Sequence, residues 1–213
     1  FFTARATPEI YTLSLHDALP IYLAAGYAVV SIDYRLAPET KLPGIIDDLT
    51  QAFRWIDENA ADLLRVDTAR MAVIGHSAGA AHVAAFALHK ELQPEGGHGA
   101  AGVILMSGGY GINPERVITA YYGEDASKYT AIQLLGNTAW GDFAVFVTAA
   151  EYEPIMFGVS ATALVAELSR EFGRLPRFKL LLGHNHPSPT MSMGTSDATV
   201  AAEIRDFIQG PGA

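Results

Sequence analysis

Serine, glutamate and histidine, the side chains that can serve as nucleophile, orienting acid and base in attack on a carbonyl, follow one another in this chain beside apolar runs. Ser77 stands in Gly75-His76-Ser77-Ala78-Gly79, a G-x-S-x-G pentapeptide, between the apolar run Met71-Ala72-Val73-Ile74 and the small-residue stretch Ala80–Leu88. Strand, tight turn and helix form the setting of a nucleophile elbow. The turn is strained, the glycines two residues to either side of the serine relieve crowding, and the hydroxyl is pushed out above the sheet. A serine hydroxyl is a poor nucleophile at neutral pH, so it needs a base, and the base needs an acid to orient it. In such sites the acid and then the histidine follow the serine in the chain, at the C-terminal ends of strands. Ala149-Ala150-Glu151-Tyr152-Glu153-Pro154 meets that condition and offers Glu151 and Glu153. Gly183-His184-Asn185-His186-Pro187 also meets it and offers His184 and His186. The backbone N–H of Ala78 is placed to donate one hydrogen bond to the oxyanion.

The elements that must hold these groups show in the hydrophobic spacing. Ala28–Ile32, Met71–Ile74, Gly102–Met106, Phe143–Thr148 and Phe178–Leu182 read as strands. Leu49, Ala52, Phe53, Ile56 and Ala60 recur at helical spacing and mark one buried face. A helix is expected over Ala161–Phe172, and a last one is capped by Ser196 with Val200, Ile204 and Ile208 inward. Asn113–Trp140, with Tyr121, Tyr122 and Trp140, is the longest stretch without a strand, either helices over the site or an ordinary crossover. Apolar runs alternating with helical patterns predict an α/β fold, a mostly parallel sheet with crossover helices.

Val29-Val30-Ser31-Ile32-Asp33-Tyr34-Arg35-Leu36-Ala37-Pro38-Glu39 resembles the D-Y-R-L-A-P-E segment of α/β-hydrolase esterases of the hormone-sensitive-lipase and carboxylesterase type. The stretch from Leu42-Pro43 through Asp47-Asp48 to Trp55-Ile56 is similar to the same family, and the resemblance runs from about Tyr22 to Ile208. It implies the α/β-hydrolase fold, ester hydrolysis and a Ser-acid-His triad. Glu153 matches the family's acid, ordinarily an Asp before a proline, and His186 matches its G-x-x-H base. Ser77, Glu153 and His186 are therefore the expected catalytic residues, with Ala78 at the oxyanion. Pro187 restricts His186 to extended backbone angles, which helps fix its ring. His184 is expected beside the pocket, and Tyr110 is a candidate lining residue for the acyl group.

Glu9–Ile21 matches, over thirteen consecutive residues, the conceptual translation of a sequencing-library adapter. Residues 1–21 are set aside on that ground as a non-native leader, and His16 and Asp17 with them. Residues 22–213 are expected to be a partial α/β-hydrolase domain with its first strands missing. The resembled family carries an H-G-G-G loop ahead of the D-Y-R-L-A-P-E strand, which supplies further oxyanion donors. No H-G-G stretch lies upstream of Val29, so the expectation is a truncated, poorly active esterase.

Composition narrows the remaining classes. The chain has 213 residues, enough for one domain with a real core, and half of them are hydrophobic. A net charge of −9 with no basic block argues against nucleic-acid binding. No apolar run reaches the length of a membrane span. With no cysteine, disulfides and thiolate metal sites are excluded; a reducing compartment is compatible, and the location stays open with the cytoplasm favoured. His184 and His186 lack a further ligand at metal spacing, so no metal or other cofactor is expected. Asp33 and Arg35 read as an ion pair or cap, Asp47 and Asp48 as helix N-terminal charges and loop anchors, and His82 and His89 as packing or surface residues. The expected partner is a small-molecule ester, and the sequence leaves the oligomeric state open. Two other readings stand beside the esterase: amide cleavage on the same triad, as in formamidases, and a non-catalytic binding protein on this fold. The second is disfavoured because serine, acid and histidine are all retained.

Overall fold

The computed structural model describes residues 21–60, 65–111, 119–125 and 128–210. His16, Asp17 and the rest of residues 1–20 lie outside that range, as do residues 113–118 and 126–127 of the 113–140 stretch. Helix α1 (Gly44–Asn59) leads through a 3-10 turn (Thr68–Arg70) to strand β1 (Ala72–His76) and helix α2 (Ala78–Leu88). Strand β2 (Gly102–Met106) is followed by two short helices, α3 (Thr119–Tyr122) and α4 (Tyr129–Ile132). Then come β3 (Ala144–Tyr152), α5 (Ile155–Phe172), β4 (Arg177–Asn185), α6 (Ser188–Met191) and α7 (Thr199–Gln209).

The four strands form one sheet in the order β1-β2-β3-β4, and every neighbouring pair is parallel. A central parallel strand is covered on both faces, so it reads as an unbroken apolar run. All five residues of β2 are buried accordingly. Alternation along β2 and β3 sorts side chains to two cores. Val103, Leu105, Val145, Val147 and Ala149 join Leu49 and Phe53 of α1, α2, and Leu164 and Leu168 of α5. Ile104, Met106 and Phe146 face Val200, Ile204 and Phe207 of α7, with Tyr22 and Met193. Ile21, the last residue of the segment set aside in the sequence, packs against that second core. Helix α2 is almost wholly buried, as a helix that is apolar all round must be. Arg177 and Lys179 of β4 reach across to Glu203 and Asp206, which ties α7 to the edge of the sheet.

Several expectations change. Residues 28–32 are not a strand, and Val29 and Val30 are exposed. Strand character belongs to a pair, and this segment has no ladder partner among the described residues. Strands β3 and β4 run on to Tyr152 and Asn185, and α5 begins at Ile155, directly after Pro154. The final helix starts at Thr199 rather than beside Ser196: Asp197 accepts from the Thr199 backbone N–H at 3.1 Å and from its hydroxyl at 2.5 Å. Arg35 pairs with Asp48: its guanidinium lies 2.7 Å from the carboxylate, and its backbone N–H donates to the same group at 2.9 Å. The anchoring role read for Asp48 is thus realised, and the Arg35 hydrogen bonds hold its carboxyl below the usual aspartate range.

Candidate active site

Ser77 sits between β1 and α2 with φ 54° and ψ −119°, a left-handed backbone that a β-carbon resists. Its N–H is held by the Met106 carbonyl at 2.9 Å, so the neighbouring strand fixes the turn. A β-carbon at Gly75 would lie 2.4 Å from the Gly79 carbonyl oxygen, which makes glycine obligatory there. The second glycine differs from expectation: a β-carbon at Gly79 meets nothing within 4 Å among the described residues. The tightness of the elbow therefore falls on one glycine. Ala78 opens α2, and the N–H of a first helical residue makes no intrahelical bond, so it is free to serve an oxyanion.

Three of the residues singled out in the sequence converge. The Ser77 hydroxyl lies 2.8 Å from His186 Nε2, and His186 Nδ1 lies 3.1 Å from Glu153 Oε2. The other Glu153 oxygen accepts the Ala150 N–H at 3.0 Å, and the carboxylate is 2% exposed. An ionised carboxylate only accepts, so His186 Nδ1 carries the proton. Nε2 is then the bare nitrogen that faces the serine. Phe157, in the first turn of α5, stacks on the His186 ring at 4.2 Å and 22°.

The two alternative candidates are engaged elsewhere. Glu151 accepts the Gly183 N–H at 2.8 Å and braces the end of β4 against β3, where the register slips between Ala150 and Tyr152. His184 is buried, with Nδ1 3.0 Å from the Ser188 hydroxyl and Nε2 3.4 Å from Asp197. Tyr110 is buried, and burial pushes its hydroxyl's ionisation far up. It lines a small cleft together with Ala81, Ala85, Tyr121, Tyr122 and Leu134. His82 packs edge-on to Tyr34 and flat on Tyr121, and His89 is wholly buried against the Ala131 carbonyl, so both are packing residues. Sequence reasoning missed His76 and Phe157, which touch His186. The signal for His76 was its place beside Ser77 at the end of the elbow strand, where active-site groups gather.

Comparison with known proteins gives a consistent set of matches. A model of the alpha/beta hydrolase fold matches residues 10–167. Carboxylesterase NlhH of Mycobacterium tuberculosis is 51% identical over 69 residues, 32% of this chain and 21% of that protein. Ethyl acetate hydrolase of Pseudomonas putida is 43% identical over 70 residues, 32% of this chain and 22% of that protein. The matched stretch thus spans about a fifth of either relative's length. Among solved structures, a hyperthermophilic esterase from the archaeon Pyrobaculum calidifontis superposes with a TM-score of 0.71 at 21% identity, covering 93% of this chain and 71% of that one. A thermophilic carboxylesterase cloned from a metagenomic library gives 0.69 at 21% identity, over 92% of this chain and 74% of that one.

Proposed function

The chain belongs to the alpha/beta hydrolase fold family, and on that premise we propose that it is a serine hydrolase of small carboxylic esters, working through Ser77, His186 and Glu153 by way of an acyl-enzyme. The observation that carries this reading is the unbroken hydrogen-bonded path from the Ser77 hydroxyl through His186 to the buried Glu153 carboxylate. The printed names of the relatives, a carboxylesterase and an ethyl acetate hydrolase, favour esters over amides as the substrate class.

Ser77 Oγ attacks the ester carbonyl carbon while its proton passes to His186 Nε2. Glu153 holds the ring and stabilises the imidazolium. The carbonyl oxygen becomes an oxyanion and accepts the Ala78 N–H. As the intermediate collapses, the C–O bond to the alcohol breaks, and the departing oxygen takes the proton from His186. Water, deprotonated by the same nitrogen, then releases the acid from Ser77. Each donor in an oxyanion hole is worth roughly 2.7–4 kcal/mol. All the groups in this mechanism lie within residues 22–213, and residues 1–21 supply none.

The test is labelling with a fluorophosphonate ester followed by peptide mapping. The expected adduct is on Ser77 and disappears in Ser77→Ala, together with hydrolysis of short nitrophenyl esters. An adduct on Ser107 or Ser160 would overturn the assignment.

A further inference from the structure

We propose that His76 is a positioning residue for His186, clamping the base to the strand that carries the nucleophile. This rests on the reading of Ser77 and His186 above. His76 is the last residue of β1, and its Nε2 lies 2.8 Å from the backbone carbonyl of His186. A carbonyl only accepts, so His76 donates, which fixes its proton on Nε2. Burial holds its imidazole below the usual histidine value, against the opposing pull of the His186 carbonyl. The titratable groups facing it are His186 and Glu153.

The geometry of the joint explains why a clamp matters. Strand β4 ends at Asn185, so His186 is one residue beyond the ladder. The next residue is Pro187, so the peptide between them has no N–H. Its carbonyl is the one backbone group through which that joint can be held, and His76 holds it. Strands β1 and β4 are the opposite edges of the described sheet, with β2 and β3 between them. At strand spacing, that is on the order of 14 Å, too far for any direct ladder bond. Two hydrogen bonds span the gap: Ser77 to the His186 ring, and His76 to the His186 backbone. Adjacent residues, the last of β1 and the first of the turn, thus grip the ring and the backbone of the base. With the backbone grip gone, the ring keeps Glu153 and Phe157 but can swing about the loop. A misplacement of 1 Å can cost roughly a hundredfold.

The experiment compares the wild type with His76→Leu and His76→Gln, the glutamine keeping a side-chain N–H donor. Two readouts are taken. The first is the fluorophosphonate labelling rate of Ser77 from pH 5 to 9, per folded molecule. The second is the long-range imidazole spectrum of His186 by NMR. Expected is a labelling rate about tenfold to a hundredfold lower in His76→Leu across the profile, with a broadened or shifted His186 signal. Largely restored values are expected in His76→Gln. Labelling and spectra in His76→Leu equal to wild type would overturn the proposal, and so would a glutamine variant no better than leucine. If the wild type takes no label at Ser77, the esterase reading fails, yet the His186 spectrum still decides whether His76 holds that residue.

Discussion

At the scale of single residues, the candidate site contrasts two histidines two positions apart. His186 faces Ser77 and Glu153, whereas the ring nitrogens of His184 are engaged by Ser188 and Asp197. Removing a triad base costs several orders of magnitude, because nucleophile, base and acid act as one unit. His186→Ala is therefore expected to lower fluorophosphonate labelling by about a thousandfold or more. His184→Ala should cost less than about tenfold in labelling while lowering the melting temperature, since it orphans two loop contacts. The reverse ranking, measured on matched samples, would move the base two residues upstream. Chain order and strand ends narrowed the candidates to Glu151 or Glu153 and to His184 or His186, and the family resemblance picked the pair that lies in line with Ser77. His76 was not legible in the sequence, because its function depends on a carbonyl brought from the far edge of the sheet, and no local pattern announces that.

At the scale of elements, the elbow concentrates its strain unevenly. Gly75 is pressed against the backbone of Gly79 and Ala80, whereas a β-carbon at Gly79 meets nothing among the described residues. Gly75→Ala is expected to destabilise the fold by about 3 kcal/mol, because backbone cannot step aside as a side chain can. Gly79→Ala should be neutral or stabilise by up to about 1 kcal/mol, as alanine is the better helix former. Urea midpoints of the two variants decide it; equal losses would mean that both glycines are structural. Strands followed the same divide between local and distant causes. Gly102–Met106 was readable to the residue, since a strand buried on both faces is apolar throughout. Residues 28–32 carry the composition of a strand without its ladder, because composition encodes the preference and only a neighbour completes the structure. The extra length of β3 and β4 was hidden by their ends, where Tyr152 and Asn185 pair beyond a register slip at Glu151.

For the whole molecule, buried histidines set the response to acid. Burial lowers His76, His82, His89 and His98, and His82 falls to about 4 from 6.5. Above pH 6.5 the His82 ring is neutral whether the chain is folded or not. Between pH 6.5 and about 4 the unfolded chain binds a proton that the folded core refuses, so stability falls as the pH drops. Below about 4 the loss levels off, and it amounts to about 3 kcal/mol for this group. His82→Phe, which keeps a ring against Tyr34 and Tyr121, should flatten that acid limb in urea melts at pH 4.5 and pH 7; an unchanged slope would assign it to other groups. The strand order has a consequence in time as well. Space follows sequence in this sheet, so each strand can dock on the one made before it as the chain leaves the ribosome. The serine arrives first, the carboxylate later, and the base last, 109 residues after the serine. On the proposed mechanism, a half-made chain would display a nucleophile with nothing to activate it, and the newborn protein would stay chemically silent until β4 joins the sheet.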